Sequence, residues 1–385
     1  MLHSKSVLPG SNKRKEGTAM KYNINYKKRQ GLYRVLLLFF LIFDFCCLGL
    51  TFYLDGKELN EKVNISDETY LSSGKVSHEK MVIPCGLPVG IYVKTEGLLV
   101  LDTQILTCSD GLNYEPAKNI VKAGDYIFRV DGEKVESKEE LQDLVEQSGG
   151  KKMKFDIVRE EETITAAMTP IMTTDGTYKL GIWLRDDTQG LGTITYIDGN
   201  RFGALGHGIN DYDTGTQMEI EEGSLYRARI LSVKKGESGS PGELVGHVQY
   251  GTEEYIGQIE SNREEGIYGT IECDVGNLTS NQKMPIAKKE EVKKGKAYLQ
   301  FVLEGESKDY QIRILKVDRL ERNKKQGILF EIVDKELLNK TGGVVQGMSG
   351  SPIIQDGKLV GAVTHVLVND PTRGYGIFIE NMLKH

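Results

Sequence analysis

Residues 344–368 read VVQGMSGSPIIQDGKLVGAVTHVLV and set a glycine-flanked serine, Ser349, at the head of two apolar runs. The runs, 352–354 and 359–363, flank Asp356-Gly357, a dipeptide that favours a two-residue hairpin turn. A buried strand, a tight turn and a second buried strand hold the preceding loop rigidly at the edge of a core. Nearly the same phrase, GESGSP, occurs at residues 236–241. There lysines precede it and no apolar strand follows directly, so it reads as a solvated connection between strands. Glu237 also sets a negative charge beside Ser238.

Upstream, the same texture continues. SLYRARILSV (224–233), AYLQFVLEG (297–305), YQIRILKVD (310–318) and GILFEIVD (327–334) alternate apolar and polar residues, as half-buried strands do. GTITYID-GN-RFGALGHGI (192–209) reads as a hairpin, and a turn or two of helix follows Asp334. The chain has 44 glycines, and its 18 tyrosines outnumber 11 phenylalanines, which favours strands and turns. The expectation for residues 173–385 is a mainly β domain, a double barrel or sandwich.

Residues 83–172 read as a smaller β-rich unit. Residues 126–130 form a strand before an Asp-Gly turn. A helix follows within 137–150, with Ser137 as N-cap and Glu140 three residues on, a capping box. Leu141, Leu144 and Val145 supply its apolar stripe, Gly149-Gly150 ends it, and two alternating strands follow. The phrase KAGDYIFRVDGEKVES (122–137) resembles the PDZ core. The resemblance implies that CGLPVGIYV (85–93), with Gly86, Leu87, Val89 and Gly90, is the loop and strand that receive a C-terminal peptide.

Residues 35–54, VLLLFFLIFDFCCLGLTFYL, are long enough to cross a bilayer as a helix, with one charge, Asp44. Nine Lys/Arg and two acids lie in residues 1–54, and eight of those bases precede Arg34. The expectation is a cytoplasmic segment (1–34), an uncleaved anchor (35–54), a polar tether (55–82) and an exported body. The body carries 40 of the 49 bases and 53 of the 55 acids, a balance of −13, which disfavours nucleic acid as a partner. Its three cysteines, Cys85, Cys108 and Cys273, have no metal-ligand spacing, so no metal or cofactor is expected.

A nucleophilic serine needs a base, a group that orients the base, and an oxyanion hole. The N–H groups of Gly347 and Ser349 fit the hole. Among six histidines, His207 in FGALGHGIND (202–211) ends an apolar strand between glycines, where an imidazole sits at a barrel rim. His247 and His365 lie within strand runs. For the orienting acid, Asp211 and Asp213 follow His207 closely, and Asp334 gives the order His, Asp, Ser; each also reads as a turn or helix cap.

Residues 344–383, together with GALGHGI (203–209) and LGIWLRDDTQGLGTITYID (180–198), resemble the stage IV sporulation protein B family, serine peptidases of endospore-forming bacteria. The resemblance spans anchor, PDZ unit and peptidase in that order. It implies a chymotrypsin-like double barrel and a triad of His207, Asp334 and Ser349. The Gly347 and Ser349 N–H groups would form the hole. By analogy within this fold, the strand carrying Thr364 and His365 lines the substrate pocket. The implied role is cleavage of the regulatory partner of an intramembrane metalloprotease, in the space between forespore and mother-cell membranes. The exposed tether also invites self-cleavage. An HtrA-like quality-control protease is the second enzyme reading, and there the peptidase precedes the PDZ unit. A PDZ adaptor without activity is the non-enzyme reading.

Overall fold

The computed structural model describes residues 80–320 and 323–384. The cytoplasmic segment, the anchor and all but the end of the tether lie outside the described residues. Among the described residues no helix is long and apolar enough to cross a membrane.

The described chain begins with one long strand, β1 (Met81–Thr103), whose two halves serve different cores. Its second half enters a small unit built from β2 (Tyr126–Val130), helix α1 (Lys138–Gln147), β3 (Met153–Arg159) and β4 (Glu162–Met168). Ser137 Oγ caps α1 by accepting from the Glu140 N–H at 3.2 Å. Leu141 and Val145 of α1 pack with Leu98, Ile127, Phe155 and Ile157 in a core of this unit's own. Asp125, fully buried, accepts two hydrogen bonds from the Arg159 guanidinium, at 2.8 and 2.6 Å.

The chain then returns along β5 (Ile182–Asp198), antiparallel to β1. With β6 (Arg201–Ala204), β7 (Ile220–Lys234), β9 (Tyr255–Arg263) and β10 (Gly266–Ile271) it closes a ring in the order β1-β5-β6-β10-β9-β7. Val89, Ile91, Ile194, Phe202, Leu225 and Ile259 fill it. β8 (Gly242–Val248) stands outside this ring, paired to the far end of β7 as a hairpin arm.

A second, closed barrel holds β11 (Gly295–Leu303), β12 (Glu306–Val317), β13 (Ile328–Ile332), β15 (Pro352–Gln355), β16 (Lys358–Leu367) and β17 (Asp370–Phe378). Phe301, Ile312, Phe330, Ile353 and Val363 are in its core. Between β13 and β15 lie helix α2 (Lys335–Thr341) and the short β14 (Val345–Gln346), which runs parallel to the start of β8. A shared layer with Val82, Tyr196, Leu359 and Met382 joins the barrels. The structure is thus mainly β and barrel-containing, as the alternating runs implied.

Two expectations are corrected. The division at residue 172/173 is not followed: the small unit is inserted between β1 and β5, the first two strands of the first barrel. Gly86, Leu87, Val89 and Gly90 are therefore not a peptide-receiving edge. Val89 pairs with Gly192 on one side and Arg227 on the other, and Gly90 with Leu191 and Tyr226. A strand bonded along both edges has no free N–H or C=O for a third. Gly86 lies at φ +68, where a Cβ would meet the Gln300 carbonyl at 2.8 Å.

Asp334 begins α2. Its Oδ1 accepts from the Glu336 and Leu337 N–H groups at 2.9 and 3.0 Å, and its Oδ2 from Gln311 N–H at 3.4 Å. An asparagine retains an acceptor at this position and an alanine does not. Asp334→Asn should therefore melt within about a degree of wild type, whereas Asp334→Ala should lose about 1 kcal/mol, read as a drop of a few degrees in Tm.

Candidate active site

Ser349 sits in a loop clamped against the first barrel. The Thr193 N–H of β5 donates to the Ser349 carbonyl at 3.0 Å, and the Thr193 hydroxyl donates to the Gly347 carbonyl at 2.8 Å. Gly350, at φ +95, allows this contact: a Cβ there would lie 2.1 Å from the Thr193 carbonyl oxygen. Gly347, at φ +97, lies against Leu244. With both carbonyls tied down, the N–H groups of Gly347 and Ser349 have no acceptor among the described residues. That is the state an oxyanion hole requires before substrate arrives. Ser349 Oγ donates to the Thr364 carbonyl at 2.9 Å.

His207 follows β6 through a turn in which Leu205 and Gly206 both have positive φ, +69 and +70. A non-glycine residue there is strained by about 1–2 kcal/mol. The Leu205 side chain, 4% exposed in the first-barrel core, holds the turn in place. The His207 Nδ1 lies 2.8 Å from the Gly208 carbonyl. A carbonyl only accepts, so Nδ1 carries the proton and Nε2 keeps its lone pair. Burial pushes the imidazole pKa down to about 4 against the Gly208 hydrogen bond, which raises it, and His365 and Lys325 add smaller lowering contributions, so the ring is neutral at pH 7. His207, Gly347 and Ser349 line one cleft of about 300 Å3, floored by Ile91, Leu191 and Leu205.

The other expected residues fall differently. The Asp334 carboxylate is engaged in its cap and has no hydrogen bond to His207. Asp211 is buried, paired with Arg185, and accepts the Asp213 and Thr214 N–H groups at 3.0 and 2.8 Å. Thr364 is 1% exposed and its hydroxyl donates to the Lys325 carbonyl at 2.6 Å, so it braces the site from behind rather than lining a pocket. His365 is exposed, and its ring centroid lies 5.2 Å from that of His207. Ser238, in the second copy of the phrase, is an exposed turn residue donating to the Asn369 carbonyl at 2.9 Å.

Two supports are new. Asn262 on β9 fixes the chain beyond His207: its Oδ1 accepts from Ile209 N–H at 2.7 Å, and its Nδ2 donates to the Ile209 and Met218 carbonyls. Thr193 is the other. Neither stands out in sequence, because each acts through backbone groups remote along the chain.

The inserted unit has a groove of its own, about 540 Å3, between α1 and residues 178–184. Leu141, Val145, Leu180 and Ile182 floor it, and Lys138, Lys179 and Trp183 rim it. Gly181 turns at φ +69, and residues 182–185 then pair with β1 on one edge, leaving the edge toward α1 open. The Leu-Gly-Ile signal for this edge was present in the sequence, but after the helix rather than before it.

One cleft thus holds a serine, a neutral histidine and two unpartnered N–H groups, the parts that a serine endopeptidase uses. Residues 176–383 match the sequence model described as SpoIVB peptidase S55, and the chain belongs to that family. No curated protein sequence matches. Solved structures similar to parts of the chain include the PDZ domain of an SdrC-like protein from Listeria monocytogenes (24% identity, 24% of this chain and 90% of that one, TM-score 0.20). The active form of the Rv3671c protease from M. tuberculosis is 16% identical over 51% of this chain and 71% of that one, TM-score 0.27. The HtrA-type protease AlgW with decapeptide is 9% identical over 78% and 63%, TM-score 0.30.

Thr193→Val removes one hydrogen bond that holds the hole open. Peptide cleavage should fall about ten-fold in kcat with little change in KM, and Thr193→Ser should restore it. The base must be neutral to act, so kcat/KM should hold as pH falls through 6 and be lost through an acid limb centred near 4. A pH–rate profile with its limb near 6.5, the ordinary imidazole value, would contradict the buried base.

Proposed function

We propose that this peptidase is a membrane-anchored, exported endopeptidase of sporulation signalling that cleaves the regulatory partner of an intramembrane metalloprotease. The observation that carries the catalytic part is the meeting of His207, Gly347 and Ser349 in one cleft. The family match supports the sporulation context. The basic segment and the apolar run before residue 55 support the anchored, exported placement.

In the proposed reaction Ser349 Oγ turns from the Thr364 carbonyl to His207 Nε2 and attacks the scissile carbonyl. Nε2 takes the proton and later returns it to the leaving amine. The Gly347 and Ser349 N–H groups hold the oxyanion. The Gly208 carbonyl keeps the imidazole in the tautomer the step needs. The described hydrogen bonds leave the carboxylate role implied for Asp334 without a contact to the base.

The groove beside α1 supports a second role, capture of a partner's C-terminal peptide. The peptide would add as a strand along residues 182–184, on the edge that faces α1. Self-cleavage in the tether belongs to the same reading. An adaptor would keep its biological activity as Ser349→Ala, whereas a peptidase loses it.

A fluorophosphonate should label the full chain at Ser349, located by peptide mass spectrometry, and the label should vanish in His207→Ala. A label on Ser238 would overturn the assignment.

A further inference from the structure

We propose that β8 and residues 189–191 form the leaving-group half of the substrate cleft, which receives the substrate residues after the scissile bond as an added strand. This rests on the reading of Ser349 as nucleophile and names what that reading leaves open, the surface that recognises the far side of the cut.

β8 is paired with β7 along Glu243–Val248, but on its other edge only Gly242 and Glu243 have a partner, β14. The Gln249 N–H donates to the Arg227 carbonyl at 3.0 Å, which fixes the alternation along the strand. The backbone groups of Val245 and His247 therefore face β7. Those of Leu244, Gly246 and Val248 face the open side. That side borders a cavity of about 770 Å3 walled by β8 and residues 189–191. The cavity shares Gln189, Gly190, Leu191, Gln346 and Gly347 with the cleft that holds Ser349, so the two are continuous.

The direction follows from the serine. Ser349 Oγ is bonded to the Thr364 carbonyl of β16, and the family resemblance places that strand, through the exposed His365, beside the residues before the scissile bond. Gly347, half of the proposed oxyanion hole, follows β14, which runs beside the start of β8. A chain with its carbonyl oxygen in the hole thus leaves Ser349 toward β8.

The chemistry of the walls selects an extended, apolar segment. Leu191 and Leu244 floor the cavity. Val245 is 42% exposed and Tyr250 53% exposed on its rim, and the Tyr250 hydroxyl donates to Gln189 Oε1 at the far end. Glycine at 190 keeps the floor low: a Cβ built there meets nothing within 4 Å.

The test is cleavage-site profiling of the full chain in detergent micelles, on a mixed library of synthetic peptides read by mass spectrometry. Wild type should enrich apolar residues in the first positions after the cut. Val245→Asp and Tyr250→Ala should lower that enrichment about ten-fold, with preferences before the cut unchanged. An unchanged profile after the cut in both variants overturns the proposal, as does an equal change on both sides. Fluorophosphonate labelling of wild type is run beside it. Failure to label Ser349 refutes the nucleophile, whereas normal labelling with unmoved profiles refutes only the β8 edge.

Discussion

The site depends on two hydrogen bonds from one residue. Thr193, fully buried in β5, donates its N–H to Ser349 and its hydroxyl to Gly347. Both acceptors are carbonyls of the nucleophile loop, whose Gly347 and Ser349 N–H groups are left without an acceptor among the described residues. The loop belongs to the second barrel and Thr193 to the first. Docking of the barrels and readiness of the hole are therefore one event. The same docking sets Gly206 within reach of Ile377 and Thr364, which brings the turn bearing His207 up to the second barrel.

β5 also explains how one insertion serves the site without interrupting it. Its first residues form the open edge of the groove beside α1, its middle walls the cleft, and Thr193 lies beyond. At the junction two neighbours face different units. Arg185 pairs with Asp211 and Asp213, in the turn that follows His207. Asp186 accepts from the Lys138 N–H at 3.0 Å and pairs with its ammonium at 2.7 Å, at the first residue of α1. Burial opposes ionisation of Asp186, but the Lys138 contacts outweigh it and hold its carboxyl below the usual range. The groove helix and the histidine turn are thus fastened to adjacent residues of one strand.

The serine, the histidine and the mainly β architecture were legible because each rests on local pattern. A glycine-flanked turn before two buried strands, and a histidine closing an apolar strand, need no knowledge of distant partners. The two copies of the serine phrase were separable for the same reason. The hairpin after Ser349 is core, whereas Gly236–Ser240 is a surface turn held by Thr341, Val368 and Asn369. What failed was topology. Residues 85–93 are apolar and glycine-bearing, which suits a ligand-receiving loop as well as a strand bonded on both sides. Only pairing with β5 and β7, both far along the chain, decides between them. Thr193 and Asn262 were illegible because their acceptors and donors are backbone groups, which carry no sequence identity.

The orientation of His207 by a carbonyl has a chemical consequence. A carbonyl fixes the tautomer as a carboxylate would, but it brings no charge to stabilise the imidazolium formed when Ser349 gives up its proton. Burial, His365 and Lys325 all push the other way and leave a base near pKa 4. So weak a base transfers a proton with little driving force at neutral pH. The two carboxylates closest in sequence logic are engaged, Asp211 by Arg185 and Asp334 by the N-terminus of α2. Either of these two reaches this imidazole only by giving up bonds it now makes. Rapid cleavage at neutral pH therefore requires either that exchange or an oxyanion hole strong enough to act with a weak base, and the Thr193 clamp is the element that keeps such a hole in place.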